Sequence, residues 1–186
     1  MKKILDILFS AILLIFLFFP MLLISIMILL SSKGPIIFWS KRVGKNGKLF
    51  MMPKFRSMNL GTPQVATHLM GNPEEFVFPF GRFLRQNSLD ELPQLFSILK
   101  GDMSFIGPRP ALYNQNDLIA LRDKNGLSHM LPGITGWAQV NGRDELSIPE
   151  KVSFELEYMK KKSFWFDLKI LWMTFLKVIS KKGVSH

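Results

Sequence analysis

The sequence contains no cysteine, and this absence removes several kinds of chemistry at once. Thiol nucleophiles, disulfide bonds and cysteine-based zinc or iron-sulfur sites are all excluded. Histidine is also scarce, because the only three, His68, His129 and His186, lie too far apart in sequence to suggest a metal-binding motif. The side chains left for catalysis or metal binding are carboxylates, which suit oxygen-loving cations.

Acidic residues are few beside basic ones, with 14 Asp and Glu against 24 Lys and Arg and a formal net charge of +10. Such a balance predicts an anionic partner, which could be nucleic acid, an anionic lipid surface or a phosphate-bearing substrate. Internal repeats and low-complexity tracts are lacking as well. A chain of 186 residues suits one domain and needs neither a disulfide nor a structural metal to fold.

Charge is almost missing from the N-terminal segment between Ile4 and Leu30, where Asp6 is the only charged residue. The segment is about 27 residues long, or about 40 Å as a helix, which is enough to cross a bilayer. It is longer than the apolar core of a usual signal peptide, and no cleavage site of the A-x-A kind follows it. The sequence therefore predicts a retained membrane segment.

Pro20 interrupts this segment near its middle. Proline removes a backbone hydrogen bond and its ring collides with the carbonyl of Phe16, so we expect a kink or break that leaves two arms. Basic residues flank both ends of the segment, and a re-entrant hairpin would keep both basic clusters on the cytoplasmic side. We predict a membrane helix-break-helix over residues 1–32 and a membrane-associated catalytic domain over residues 33–186. A kinked straight span is the alternative.

Beyond the membrane segment, alternating apolar residues predict a strand near 36–41 and a return strand near 48–55. The turn between them carries Asn46 and Gly47, a pair typical of tight hairpins. Residues 59–80 are rich in Gly, Pro and polar residues, and predict a loop with short helical pieces. This loop is either a lid over a substrate or a plain connection.

Helices are predicted over residues 93–100, 111–125 and 149–162. The first is punctuated by Pro93 at its start and by a glycine directly after its end. The apolar stretch 163–182 contains two tryptophans and several charges, which predicts a helix in the membrane interface; a buried core helix is the alternative. The fold class is therefore α+β: a broken re-entrant membrane helix, a β-hairpin and several short helices, including interfacial amphipathic helices.

The stretch NSLDELPQ places two acids, Asp90 and Glu91, side by side in this basic chain. Together with Ser88 they fit the S-x-x-E capping box, which is the structural alternative to a catalytic role. Pro93 argues against that cap, because it suits the first position of its own helix better than the interior of another. The acids then precede a helix N-terminus, which favours an ionised carboxylate available as a nucleophile or metal ligand.

Basic residues surround the acidic pair in sequence. Arg82 and Arg85 precede it, and Arg109 follows it between two prolines that stiffen the backbone. Planar guanidinium groups suit bidentate binding of phosphate. With Lys54, Arg56 and Arg143, these side chains predict a phosphate-rich substrate facing a pair of carboxylates.

Four motifs occur in order behind the apolar N-terminus: KFRSM (54–58), RxxSLDELPQL (85–95), LKGDMSFIGPRP (99–110) and PGITGWAQVNGR (132–143). In these motifs the chain resembles the bacterial sugar transferase family, and in size its small monotopic, re-entrant polyprenyl-phosphate phosphoglycosyl transferases. The resemblance implies transfer of a sugar 1-phosphate from a UDP-sugar to undecaprenyl phosphate with release of UMP, the first step of lipid-linked glycan synthesis. It also implies the cytoplasmic face of the bacterial inner membrane, with downstream glycosyltransferases as further partners.

The resemblance also implies roles for individual residues. Asp90 and Glu91 match the catalytic dyad of the family, with Asp90 as the nucleophile that carries the phosphosugar and as a ligand of Mg²⁺. Glu91 would manage protons or orient the acceptor. The predicted contacts to the phosphates and uridine are Lys54, Arg56, Arg82, Arg85, Arg109, Gln139, Asn141 and Arg143.

The sequence departs from the family pattern in two places. Phe19 stands before Pro20 where small members usually have serine, so another group, with Ser10 and Ser25 as candidates, would have to satisfy the freed backbone. Leu131 stands directly before the PGITG stretch, which begins at Pro132, where a basic residue often occurs in the family. Neither departure touches the dyad.

Other functions remain open at the level of sequence. A conventional glycosyltransferase would release UDP instead of UMP, and a non-catalytic basic membrane protein would tolerate loss of both acids. Nucleic-acid binding fits the charge but leaves the apolar segment unexplained, and the arginines cluster around the acids instead of forming a basic stripe. The expected partners are a UDP-sugar, polyprenyl phosphate and the membrane, with no nucleic acid.

Overall fold

A computed structural model describes residues 2–63, 73–142 and 145–180. The fold mixes α-helices with short β-strands, as the predicted α+β class requires. The chain divides into two compact units, the first made of residues up to 40 with 51–101 and the second of 41–50 with 102–180. Residues 64–72 of the predicted loop at 59–80 lie outside the described residues, and its role as a lid stays a prediction.

The N-terminal apolar segment forms one helix, α1 (Lys2–Ser31), and helical conformation continues through Pro20. The predicted interruption into two helical arms is therefore not observed. The side chains of Ser10 and Ser25 donate to Ile7 O at 2.8 Å and to Met21 O at 2.7 Å. Neither hydroxyl donates to the carbonyl of residue 16, so neither replaces the serine that usually precedes this proline.

Most of the surface of α1 is apolar and exposed. Within the described residues, α1 is the one helix whose length and hydropathy would allow it to cross a membrane. Only 11% of its most apolar stretch of 18 residues is buried inside the protein. A core helix of a water-soluble protein would be mostly buried. The exposed apolar surface therefore supports a membrane segment.

Both end regions of α1 pack against other parts of the first unit. At the N-terminal end, Lys3 lies beside Gly101, since its Cε is 3.3 Å from the position that a Cβ on this glycine would occupy. Near the C-terminal end, Ile24 and Ile28 are buried in the core of the unit. Exposed apolar side chains occur along the whole helix, with Ile4 at 71%, Phe16 at 76% and Leu30 at 78%. The re-entrant topology stays a prediction.

The predicted hairpin is confirmed as β1 (Ile37–Val43) and β2 (Leu49–Phe55). Its turn places Asn46 at φ 56° and Gly47 at φ 73°, the left-handed conformations that an Asn-Gly pair tolerates best. After the hairpin the chain forms a short 3₁₀ turn, Pro73–Phe76, and then α2 (Pro79–Gln86), which the sequence did not predict as a separate helix.

The second unit contains a parallel pair of three-residue strands that the sequence did not predict. Strand β3 (Ser104–Ile106) pairs with β4 (Gly133–Thr135), with Ser104 opposite Gly133. A Cβ on Gly107 would lie 2.3 Å from the carbonyl oxygen of Leu131, so the backbones approach too closely for any side chain there. This pairing joins the third and fourth sequence motifs.

The second unit also contains several helices. The predicted helices at 111–125 and 149–162 are confirmed as α4 (Asn116–Lys124) and α6 (Ile148–Lys161), and a short α5 (Trp137–Asn141) follows β4. Arg122 on α4 donates from Nε to Glu155 on α6 at 2.8 Å, and Glu155 is buried. This pairing compensates a buried carboxylate and joins the two helices.

The last helix, α7 (Phe164–Ser180), has two different faces. Ile170 is fully buried in a cluster with Ile106 and Tyr158, whereas Trp165 and Trp172 are 77% and 60% exposed. The exposed apolar side chains of the outer face are Phe164, Trp165, Leu168, Leu171, Trp172, Phe175, Leu176 and Val178. A fully buried core helix is therefore ruled out, and the outer face supports the predicted position in a membrane interface.

Candidate active site

The acidic pair lies in a single 3₁₀ turn, Leu89–Glu91, directly before α3 (Gln94–Lys100). Ser88 precedes it in a left-handed conformation, at φ 55°, and its side chain makes no capping hydrogen bond. The capping-box alternative is therefore wrong. As predicted from the sequence, Pro93 begins the helix, here as its N-cap, and Gly101 ends it at φ 86°.

The turn that carries the acids is fixed by the apolar residues on either side of them. Leu89 and Leu92 pack against the core of the first unit, which contains Ile24 and Ile28 of α1. The predicted membrane helix and the acidic turn thus share one core. A change in the position of the C-terminal part of α1 would be transmitted to Asp90 and Glu91 through direct packing.

Lys54 lies between the two acids. Its Nζ is 2.8 Å from Glu91 Oε1 and 3.8 Å from Asp90 Oδ2, and the three side chains are only 11–14% exposed. An ammonium group in this position reduces the repulsion between neighbouring carboxylates. The contact is a hydrogen bond to Glu91 but a longer ion pair to Asp90. Lys54, predicted as a phosphate contact, is thus a partner of the dyad in this structure.

Arg82 and Arg85 belong to α2, which packs beside the acidic turn. Arg82 is exposed, and Arg85 is half-buried with its Nη1 at 3.3 Å from the sulfur of Met58. The preceding Gly81 lets α2 approach closely, because a Cβ there would lie 2.0 Å from the carbonyl oxygen of Ser57. Gly81 therefore allows α2, which carries both arginines, to pack against the backbone at Ser57.

We expect Gly81→Ala to destabilise the protein by about 1–3 kcal/mol, because the added methyl group forces α2 away from the backbone at Ser57. Thermal unfolding of the purified protein measures the loss. Gly47→Ala is the control, since its methyl group meets no atom within 4 Å and costs only the strain of a positive φ. Equal losses in the two variants would contradict the packing role of Gly81.

Arg56 is buried and donates several hydrogen bonds to the chain that follows α1. Its Nε donates to Pro35 O at 2.7 Å, its Nη1 to Ser32 Oγ at 2.8 Å and to Lys33 O at 3.1 Å, and its Nη2 to Ser32 O at 2.7 Å. The residue is 4% exposed and lies over the ring of Phe78, and burial lowers the pKa of its guanidinium group. These hydrogen bonds anchor the chain that leaves α1, and the phosphate contact of Arg56 stays a prediction.

Arg109 belongs to the second unit, in the turn directly after β3. The turn is fixed on both sides, since Pro108 O accepts from Gly133 N at 2.9 Å and Pro110 O accepts from Arg42 Nη1 at 3.1 Å. Arg109 itself is half-buried between two buried prolines. The stiff backbone predicted from the prolines is thus reinforced by hydrogen bonds from two other segments.

Gln139 and Asn141 lie on α5 and direct their amide groups toward nearby backbone. Gln139 Nε2 is 3.4 Å from Ile134 O, and Asn141 Nδ2 donates to Trp137 O at 2.7 Å. Gln139 Oε1 is buried and has no hydrogen-bond partner within the described ranges, which leaves one acceptor for a ligand or water. Arg143 lies outside the described residues, so its role stays a prediction.

The acidic pair offers the ligand chemistry that Mg²⁺ prefers. Throughout the described part of the chain, no group of three or more His, Asp or Glu side chains could hold a metal ion. Mg²⁺ in phosphoryl-transfer sites often takes only one or two carboxylates and completes its shell with water and substrate phosphates. The oxygens of Asp90 and Glu91 fit that pattern.

The family model of the bacterial sugar transferases matches residues 1–181 of the chain. The chain belongs to this family. The expectation from the four motifs is thereby confirmed.

Among its relatives, this bacterial sugar transferase is 40% identical to the UDP-glucose:undecaprenyl-phosphate glucose-1-phosphate transferase of Escherichia coli K12, over 98% of this chain and 41% of that protein. It is 38% identical to the undecaprenyl-phosphate galactose phosphotransferase of Salmonella typhimurium, over 81% of this chain and 34% of that protein. It is 40% identical to the uncharacterized sugar transferase EpsL of Bacillus subtilis, over 82% of this chain and 74% of that protein. The chain thus spans well under half the length of the two relatives with named substrates.

Proposed function

We propose that the protein transfers a sugar 1-phosphate from a UDP-sugar to undecaprenyl phosphate, releasing UMP and forming undecaprenyl-diphosphate-sugar. The observation that carries this proposal is the Asp90, Glu91 and Lys54 cluster, built on a core that includes the predicted membrane helix. Relatives named as hexose-1-phosphate transferases acting on undecaprenyl phosphate support the reaction class.

In the first step an Asp90 carboxylate oxygen attacks the sugar-bearing phosphorus of the UDP-sugar. The new bond joins Asp90 Oδ to phosphorus, and the bond that breaks joins that phosphorus to the bridging oxygen, which leaves with UMP. In the second step a phosphate oxygen of undecaprenyl phosphate attacks the same phosphorus and releases Asp90. Glu91 handles the proton or orients the acceptor phosphate.

Charge is the main obstacle to this reaction, because two anionic substrates must approach an anionic nucleophile. Lys54 already lies within 3.8 Å of the Asp90 carboxylate, and Arg82 and Arg85 lie on the neighbouring helix. These cations can bind the diphosphate and reduce its repulsion of Asp90. When bound, Mg²⁺ would neutralise further charge on the phosphate oxygens.

The membrane location follows from the same proposal. Undecaprenyl phosphate has its tail in lipid and its head group at the surface, where α1 and the outer face of α7 would hold the enzyme. Holding the enzyme at the membrane surface lowers the entropic cost of bringing acceptor and donor together. We place the catalytic domain on the cytoplasmic face of the inner membrane, where UDP-sugars and the downstream glycosyltransferases would also be found.

The product nucleotide tests the proposal. We expect purified protein in detergent, with Mg²⁺ and undecaprenyl phosphate, to release UMP from at least one of UDP-glucose, UDP-galactose and the UDP-N-acetylhexosamines. Without acceptor, the covalent intermediate limits the yield to about one UMP per enzyme. Release of UDP would identify a conventional glycosyltransferase, and no release from any donor would support a non-catalytic membrane protein.

A further inference from the structure

Three consecutive lysines, Lys160, Lys161 and Lys162, lie at the corner between α6 and α7. All three are exposed. Between residues 157 and 177 the sequence has five lysines but only two acids. The corner therefore presents a local excess of positive charge at the protein surface.

Both acids of this region accept hydrogen bonds from within the second unit. Glu157 accepts from Trp137 Nε1 at 2.8 Å and from Lys161 Nζ at 2.7 Å. Asp167 accepts from the hydroxyl of the buried Tyr158 at 2.7 Å. An ammonium group has three donors, so an exposed lysine that contacts its own protein can still donate to a phosphate. The two acids thus reduce the positive charge of the corner without cancelling it.

The aromatic side chains that begin α7 follow these lysines closely in sequence. Phe164 and Trp165 are exposed, and their rings pack edge to face with centroids 5.7 Å apart. The start of the helix is fixed, because Ser163 Oγ accepts from Phe166 N at 3.2 Å and Ser163 O accepts from Asp167 N at 2.9 Å. One helix cap therefore separates the basic corner from the exposed aromatic rings.

The exposed face of α7 continues from these rings through Leu168, Trp172 and Phe175, which are three or four residues apart. Another side of the helix is fixed to the second unit, since Thr174 Oγ1 lies 2.7 Å from Thr135 Oγ1. An apolar helix face with lysines beside it is typical of helices that bind in a membrane interface, where tryptophan is enriched. The local excess of lysine and the net charge of +10 favour an anionic bilayer over a second copy of this chain.

We propose that the corner formed by Lys160, Lys161 and Lys162 binds the phosphate groups of anionic phospholipids, so that the outer face of α7 docks on anionic bilayers in preference to neutral ones. Phe164 and Trp165 then insert at the boundary between headgroups and acyl chains. A lysine near the surface contributes about fivefold to binding of an anionic membrane, so three favour the docked state about 100-fold. This inference goes beyond the proposed function, because no step of sugar transfer requires a phospholipid preference.

The absence of cysteine from the sequence allows one fluorophore to be placed on the outer face of α7. The full-length protein with Leu171→Cys, labelled with the fluorophore NBD, is reconstituted in nanodiscs of phosphatidylcholine alone or with about 30% phosphatidylglycerol. Lipids that carry bromine on their acyl chains quench the fluorophore only when it enters the bilayer. We expect at least about threefold more quenching in the anionic nanodiscs. Because α1 is expected to keep the protein in either nanodisc, the signal reports the docking of α7.

The triple variant Lys160→Gln, Lys161→Gln, Lys162→Gln tests the corner itself. We expect its quenching in anionic nanodiscs to fall to the value in neutral ones. Its melting temperature should stay within about 2 °C of the wild type, because exposed side chains contribute little to stability.

The matched control is the triple variant Lys45→Gln, Lys48→Gln, Lys124→Gln, which removes the same charge from exposed lysines of the same unit. It should keep the wild-type difference between the two kinds of nanodisc. An equal loss in both triple variants would overturn the inference, because net charge alone would then explain the preference. Equal quenching of the wild-type protein in both nanodiscs would also overturn it, and so would the absence of quenching in either. None of these outcomes depends on UMP release.

Discussion

Asp90→Asn is expected to reduce UMP release at least about 1,000-fold while leaving the protein folded and bound to the membrane. The amide has nearly the shape of the carboxylate but cannot form the acyl phosphate. Membrane binding should persist because α1 and the exposed face of α7 are unchanged. Single-turnover release of UMP without acceptor measures the first step directly, and flotation of the protein with vesicles measures membrane association.

Asp117→Asn is the control for this experiment, since Asp117 is an exposed acid in the first turn of α4. It should retain wild-type turnover. Normal turnover by Asp90→Asn would end the assignment of Asp90 as nucleophile. Glu91→Gln separates the two acids: if Glu91 serves mainly the second step, the variant keeps its burst of UMP but loses sustained turnover with undecaprenyl phosphate.

Arg56→Met is expected to destabilise the protein by about 3 kcal/mol or more, because it leaves several carbonyl oxygens at the exit of α1 without their buried donor. The carbonyls concerned are those of Ser32, Lys33 and Pro35. For a chain of this size the melting temperature should fall by about 6 °C or more. Thermal unfolding in detergent or nanodiscs measures the change.

Arg56→Lys should be intermediate, because one ammonium group cannot reach the acceptors that a planar guanidinium fork reaches together. Lys48→Met, which removes an exposed cation of the hairpin, should change stability by no more than about 0.5 kcal/mol. If Arg56→Lys instead keeps full stability and only raises the KM for the UDP-sugar, the residue contacts substrate as first expected.

The local structure around the acidic pair could be predicted from the sequence because its signals are local. Asn46 and Gly47 supply the positive φ angles that a tight hairpin requires, and the observed turn uses both. Pro93 and Gly101 begin and end a short helix for similarly local reasons. The observed strands and this helix lie within a few residues of their predicted bounds.

The parallel strands β3 and β4 could not be predicted in the same way. Each strand has three residues, which are too few to show an alternation of apolar and polar side chains. The two strands are also separated in sequence by α4 and its flanking segments. The close contact of Gly107 and Gly133 with neighbouring backbone explains the glycines of both motifs only once the pairing is known. Pairing between distant segments depends on the tertiary fold.

The contacts that individual side chains of the site make could not be predicted from the sequence. A cluster of cations near two acids predicts phosphate chemistry, and the sequence treats Lys54 and Arg56 alike. In the structure their contacts differ, because Arg56 donates to Pro35 O in the chain after α1, whereas Lys54 donates to Glu91.

The shared core of α1 and the acidic turn also has a consequence for synthesis of the protein. Ile28 leaves the ribosome well before Leu84, its partner in the core, by a delay of about 3–11 s at ordinary elongation rates. During that delay the helix must be held by lipid or by an insertion factor without its final packing. Packing of Leu84, Leu89 and Leu92 against Ile28 therefore seats the helix and fixes the acidic turn in the same event.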